Sequence, residues 1–397
     1  MQEIKGRTLR VMVADDSAVM RGVMRTLFAT HAEDMESELP AMVICGEASD
    51  GVECLEMVGR TQPDVLLLDL EMPRMHGLGV LDRLREESPE LPVIMCSAYT
   101  ELGARLTVDA LARGASDYVM KPSVQSDFTR ALRVLSEQLL PKIVALAGGR
   151  RRDDGRAEML LPVSSGRAVC SELLPARTEI IVIGVSTGGP LALEMMLPML
   201  PRDLPVPVLI VQHMPRLFTG ALAARLDSRC ALRVREAFEG AVLTPGTVWL
   251  APGDVHMEVE RAGAEEVRVS LHSEQPVNYC RPSVDYLFNS AAAVYGRGTL
   301  AAVMTGMGAD GLAGARRVHD AGGTVLAQDQ ESSVVWGMPG RVTQAGIASA
   351  TLPLLSLGEE LTRRAWLGRR KRFASGTQVS FVDGGMMRGL EVADGVL

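Results

Sequence analysis

Several common signatures are missing from this sequence, and each absence narrows the reading. Its six cysteines, Cys45, Cys54, Cys96, Cys170, Cys230 and Cys280, form no C-x-x-C pair. That argues against the usual zinc and dithiol motifs and for reduced, mostly buried thiols. No uninterrupted apolar run is long enough to span a bilayer, and the opening MQEIKGRTLR lacks the apolar core of a signal peptide. A cytoplasmic protein with no direct membrane insertion is the expectation. Positive charge is also short, with 41 Lys and Arg against 49 Asp and Glu for a net charge of -8, which speaks against a general nucleic-acid partner. The P-loop lysine is absent, and the glycine-rich stretch 184–190 lacks the G-x-G-x-x-G spacing.

What is present is a globular composition, 47% hydrophobic and 23% charged over 397 residues, enough for two or three domains with separate cores. Short apolar runs alternate with helix-like stretches: RVMVAD (10–15), DVLLLD (64–69), LPVIMCSA (91–98) and SDYVM (116–120). Bounded by turn residues, they read as βα units around a buried parallel sheet. A second series follows, with EIIVIGV (179–185), VPVLIVQH (206–213), TVWLAPG (247–253) and GTLAAVMTG (298–306). The fold class is therefore α/β, with two doubly wound parallel-sheet domains, one flavodoxin-like and one Rossmann-like. Expected boundaries are 9–138 for the first domain, 139–177 for a linker, 178–357 for the second domain and 358–397 for an extension. The linker is assigned by its mixture of Gly, Ser and both charge signs. RRAWLGRRKR (363–372) reads as a solvated helix end before a loose terminus, against the competing reading of a basic patch with Ala365 and Trp366 as its apolar part.

Strand ends in the first half carry a distinctive set of groups. Asp15 and Asp16 close the first strand, Asp69 the third and Ser97 the next, while Lys121 follows the last. A doubly wound sheet brings all of these ends to one edge, where ligands bind. An aspartate after a strand often only caps a helix, but five such groups at one edge ask for more. Clustered carboxylates repel, and a hard divalent cation such as Mg2+ relieves them. Lys121 and the Ser97 hydroxyl can then hold phosphoryl oxygens, which makes Asp69 a candidate phosphoryl acceptor.

VADDS (13–17), LDLEMPRMHGL (68–78), CSA (96–98) and GASDYVMKP (114–122) occur in the order found in response-regulator receiver domains, which residues 9–138 resemble. The resemblance implies that Asp15, Asp16 and the Glu71 carbonyl join Asp69 in binding Mg2+. It further implies that Asp69 takes phosphate from a histidine kinase and that Ser97 and Tyr118 relay the change. The segment 31–42 is longer than is usual there.

In the second half, Gly184-Val185-Ser186-Thr187-Gly188 satisfies the G-x-S-x-G pattern of a serine on a tight strand-to-helix turn. Glycine loops at such turns also bind phosphate, so the pattern alone decides little. A nucleophilic serine needs a base and a carboxylate to orient it. His213 ends an apolar strand, and Asp310 follows another within MTGMGADG (304–311), so both belong on the same carboxyl edge as Ser186. His256 is the nearest rival base; His31, His76, His272 and His319 lie in surface-like or receiver contexts.

GVSTGGP (184–190), VQHMP (211–215), LAPGDVHM (250–257), RPSVDYLF (281–288), TGMGADG (305–311) and VVWGMPG (334–340) resemble the catalytic domain of the chemotaxis protein-glutamate methylesterases. Val185 replaces the usual alanine, and Cys280 stands where a histidine commonly precedes Arg-Pro-Ser. The resemblance implies hydrolysis of glutamate γ-methyl esters on methylated chemoreceptors, releasing methanol, with a chemotaxis histidine kinase as phosphodonor and no cofactor at the esterase site. Deamidation of receptor glutamines is an implied second activity. Ser186, His213 and Asp310 would form the triad, with backbone N–H groups near Thr187 and Met307 as the oxyanion hole. The unphosphorylated receiver is expected to cover the Ser186 crevice. The alternatives are a DNA-binding effector, for which no helix-turn-helix is legible, and a nucleotide-binding module, which leaves His213 and Asp310 unexplained.

Overall fold

The computed structural model describes residues 7–34, 37–122, 128–148, 177–263, 266–372 and 378–380. In the N-terminal domain the chain alternates strictly between strand and helix: β1 (Leu9–Ala14), α1 (Ala18–Glu33), β2 (Met42–Ala48), α2 (Gly51–Thr61), β3 (Val65–Asp69), α3 (Gly77–Glu87), β4 (Val93–Ser97), α4 (Glu101–Ala112), β5 (Asp117–Met120) and α5 (Phe128–Gly148). All five strands are parallel, in the order β2-β1-β3-β4-β5. Every residue of β3 and β4 is buried, as a sheet covered by helices on both faces requires. Polar residues fix the helix starts: Ser17 accepts from Met20 N–H, and Asp50 accepts from Val52 and Glu53 N–H.

The expected domain end at residue 138 falls inside α5. Leu139, Leu140, Ile143, Val144, Leu146 and Ala147 are all buried, so the apolar face of this helix continues into the segment assigned to the linker. Pro141 lies within the helix. Its cost of about 3 kcal/mol is offset by that burial, since each large apolar side chain contributes roughly 1.5–3 kcal/mol. The remainder of the expected linker, residues 149–176 including Cys170, lies outside the described residues.

The C-terminal domain runs through β6 (Ile180–Val185), α6 (Gly189–Met196), β7 (Val208–Gln212), α7 (Arg216–Arg229), β8 (Arg233–Glu236) and β9 (Thr247–Leu250). After β10 (His256–Arg261), β11 (Val267–His272) and α8 (Val284–Tyr295) it returns to the main sheet with β12 (Thr299–Val303), α9 (Leu312–Asp320), β13 (Thr324–Gln328), α10 (Met338–Gln344) and β14 (Ala350–Leu352). Seven parallel strands form the sheet β14-β13-β12-β6-β7-β9-β8. β10 and β11 make a separate antiparallel hairpin.

A boundary at 357 is likewise too early. Helix α11 (Leu354–Trp366) buries Leu354, Leu357, Leu361 and Ala365, the helical spacing of a face turned to the core. Ala365 is thus core, not part of an exposed basic patch. A short antiparallel pair, β15 (Arg370–Arg372) with β16 (Gln378–Ser380), follows. Residues 381–397 lie outside the described residues. Among the described residues no helix is long and apolar enough to cross a membrane.

Candidate active site

Strand β6 is central in the larger sheet, with β7 on one side and β12 on the other. The chain order reverses there, and the carboxyl ends of these strands meet at the switch point. Ser186 leaves β6, His213 leaves β7 and Asp310 follows β12, so sequence separations of up to 124 residues collapse into one site. The Ser186 backbone is held from three directions. Its N–H donates to Thr305 O (3.0 Å), and its carbonyl accepts from Gly189 N–H (2.8 Å) and from Gln212 Nε2 (3.0 Å). Gly188, at φ 77°, caps α6 in a left-handed conformation, which only glycine adopts at no steric cost. Gly306 is required for another reason: a Cβ there would lie 2.8 Å from Ser186 Cβ.

His213 Nε2 and Asp310 Oδ2 are 2.7 Å apart. Asp310 also accepts from Ser283 Oγ (2.7 Å) and Val284 N–H (2.7 Å). Burial opposes ionisation of this carboxyl, but His213, Ser283 and Val284 outweigh it and hold Asp310 below the usual carboxylate range. The converse holds for His213. Burial disfavours its cation, yet hydrogen bonds to Asp310 and then to Cys280 raise it to about 10. With Nε2 committed to Asp310, Nδ1 is the nitrogen left for a substrate or nucleophile proton. Ser186 Oγ is part-exposed and makes no hydrogen bond to any described residue. The Thr187 and Met307 N–H groups also donate to no described residue.

At the carboxyl edge of the smaller sheet, Asp15, Asp16 and Asp69 present oxygens within 4.8 Å of one another. Lys121 Nζ bridges Asp15 (2.8 Å) and Asp69 (2.7 Å). Burial pushes Asp69 up to about 6, with Lys121 pulling the other way. Three hard carboxylate oxygens fit Mg2+ by donor chemistry, and Glu71 lines the same depression as Asp16. The Ser97 hydroxyl is buried, accepting from Thr107 Oγ1 (2.7 Å) and donating to Gly103 O (3.3 Å). Tyr118 is buried too, and stacks on Phe218 of α7 at 4.8 Å between centroids.

That stack is one of several contacts that close the two sheet edges onto each other. Asp117 Oδ2 accepts from Thr187 Oγ1 at 2.6 Å, one residue from Ser186, while Asp117 Oδ1 pairs with Lys142 Nζ at 2.8 Å. Arg225 of α7 reaches Asp109 of α4 at 2.9 Å. Val335 and Met307 join the apolar cluster formed by α1, α5 and the first sheet.

Comparison with known proteins places both halves. The CheB methylesterase family model matches residues 181–361, and that of the response regulator receiver domain matches residues 11–133. A protein-glutamate methylesterase/protein-glutamine glutaminase of Trichodesmium erythraeum is 42% identical over 357 residues, covering 89% of this chain and 98% of the relative. Its counterpart in Nocardioides is 44% identical over 358 residues, covering 90% and 95%. The chain belongs to this family. Among solved structures, the Thermotoga maritima CheB methylesterase catalytic domain is 44% identical, with a TM-score of 0.46, covering 47% of this chain and 99% of that one.

Within the methylesterase domain, several contributors escaped the sequence reading. Ser283 and Gln212 lie inside stretches that carried the resemblance, RPSVDYLF and VQHMP, but neither residue type signals a supporting role by itself. His256, the rival base, is fully buried, accepts from Ser283 N–H at 3.2 Å and pairs with Gln275 O at 3.2 Å. It therefore supports the loop that holds Asp310. In the receiver domain, nothing in the sequence announced that Asp117 reaches Thr187.

Proposed function

We propose that this protein is a serine esterase that removes γ-methyl esters from glutamates of chemoreceptors, releases methanol, deamidates receptor glutamines, and is activated by phosphorylation of Asp69. The observation that carries the esterase reading is the His213–Asp310 pair, 2.7 Å apart, on strand ends flanking Ser186. Ser186 attacks the ester carbonyl as His213 Nδ1 takes its proton; Asp310 fixes the imidazole and stabilises its cation. Thr187 and Met307 N–H groups receive the developing oxyanion, where one lost donor costs roughly 3–4 kcal/mol. His213 returns the proton to the leaving methanol, and water repeats the sequence on the acyl-enzyme. An amide substrate follows the same path with ammonia leaving.

On the receiver side, Asp15, Asp16, Asp69 and the Glu71 carbonyl would hold Mg2+, which neutralises charge on the incoming phosphoryl group. Lys121 is placed to pair with a phosphoryl oxygen on Asp69 and would then release Asp15. A chemotaxis histidine kinase is the phosphodonor, and the protein acts from the cytoplasm. β5 links this chemistry to the esterase, because Asp117 and Tyr118 precede Lys121 by only a few residues and contact Thr187 and Phe218. Phosphorylation biases the pair of domains away from the closed arrangement. The triad is tested by methanol release from methylated receptor membranes: Ser186→Ala should abolish it while Asp69 remains phosphorylatable, and retained hydrolysis would refute the nucleophile.

A further inference from the structure

The ester site holds a second nucleophilic group that the esterase mechanism leaves unused. Cys280 Sγ lies 3.5 Å from His213 Nδ1, on the ring nitrogen opposite the one that Asp310 occupies. A thiol within reach of an imidazole whose other nitrogen is fixed by a carboxylate is the arrangement of an activated cysteine. The thiol is held there by its own backbone. Cys280 N–H donates to Val277 O (2.8 Å) and Val277 N–H to Cys280 O (3.1 Å), closing a tight turn with Asn278 and Tyr279 at positive φ. Tyr279 at its tip is fully exposed and Cys280 itself is part-exposed, so a small reagent can reach the sulfur.

The other described cysteines differ. Cys54 and Cys96 are buried, and burial raises both thiols, Cys54 to about 12. Cys230 is pushed up to about 11 by burial and then Asp227. No described hydrogen bond joins Cys45 to a base.

We infer that Cys280 is a covalent modification site for small soft electrophiles, hydroperoxides above all, and that its modification silences the Ser186 site by occupying His213. With hydrogen peroxide, sulfur attacks one oxygen, an S–O bond forms and the O–O bond breaks. The thiol proton passes by way of His213 Nδ1 to the departing oxygen, which leaves as water. Sulfur is oxidised to a sulfenic acid and peroxide is reduced. The sulfenic O–H then donates to Nδ1 from beside the sulfur, occupying the nitrogen to which the Ser186 proton would have to go.

Covalent mapping tests this in the full-length protein. Iodoacetamide should label the Cys280 peptide roughly tenfold or more faster than the Cys230 peptide, and His213→Ala should abolish that advantage while leaving Cys45 labelling unchanged. Asp310→Asn supplies a second variant should His213→Ala fold poorly. Peroxide should inactivate the parent esterase reversibly by thiol reductant, and spare Cys280→Ser relative to its own untreated rate. Labelling of Cys280 no faster than Cys230, or unaltered by both variants, would overturn the inference, as would equal peroxide inactivation of Cys280→Ser. The activity arm rests on the proposed esterase reading; the mapping arm does not, so failure of one is distinguishable from failure of the other.

Discussion

At the residue scale, the site is a set of charges and donors held in place by neighbours that do no chemistry. Ser283 is the clearest case, since its hydroxyl donates to Asp310 and also caps α8 by accepting from Asp285 N–H. Ser283→Ala removes one hydrogen bond to a charged group, worth about 1.5–3 kcal/mol. Its kcat for methanol release should drop some tenfold or more with KM little changed, and a thermal melt will report the lost cap separately. The raised His213 sets the pH dependence. Asp310 favours the cation, so the base form appears only above the ordinary imidazole value near 6.5. The acid limb of kcat/KM should therefore sit above neutral pH and move downward in Asp310→Asn, with a large loss of rate. An acid limb at the ordinary imidazole value in the parent would contradict the assigned pairing. Ser186, His213 and Asp310 were legible because each ends a strand or follows one. Ser283, Gln212 and the Cys280–His213 contact were not, because serine and cysteine in loops carry no period and a glutamine at the end of a strand, like Gln212 in β7, does not announce its partner.

Among the elements, the apolar runs translated directly into strands, since a strand covered on both faces must be continuously apolar. β2, β8, the β10–β11 hairpin, β13, β14 and the β15–β16 pair were not singled out. β8 reads RVRE and buries mainly Val234, and the hairpin alternates polar with apolar residues, so neither makes an uninterrupted run. The helix ends were missed for a related reason. Pro141 and the charges of 359–364 look like boundaries, while α5 and α11 continue because their buried faces do. β5 deserves the decisive experiment at this scale, as its Asp117 ties Thr187 to Lys142. Asp117→Ala should raise methanol release by unphosphorylated full-length protein several-fold and leave Asp69 phosphorylation intact. An unchanged basal rate would remove this contact from the switch.

Across the whole molecule, the receiver packs α4 and the β5 edge on the methylesterase domain, and buried apolar side chains run without a break from the first sheet through α4 to α6 and α7. Two α/β domains were legible from sequence; their packing was not, because the interface is built from helix faces that look like ordinary core. Arg225 and Asp109 lie at its part-exposed rim, where an ion pair contributes at most about 1 kcal/mol. Asp109→Arg replaces attraction by repulsion and should raise the basal rate a few-fold, with no counterpart in the isolated fragment from about residue 178, which lacks position 109. The central claim is that the receiver restrains Ser186 until Asp69 is phosphorylated. Methanol release from methylated receptor membranes by the full-length protein, with and without acetyl phosphate and beside that fragment, tests it most directly. The unphosphorylated full-length protein should be slowest, with acetyl phosphate and removal of the receiver each raising the rate; equal rates in all three arms would contradict the account.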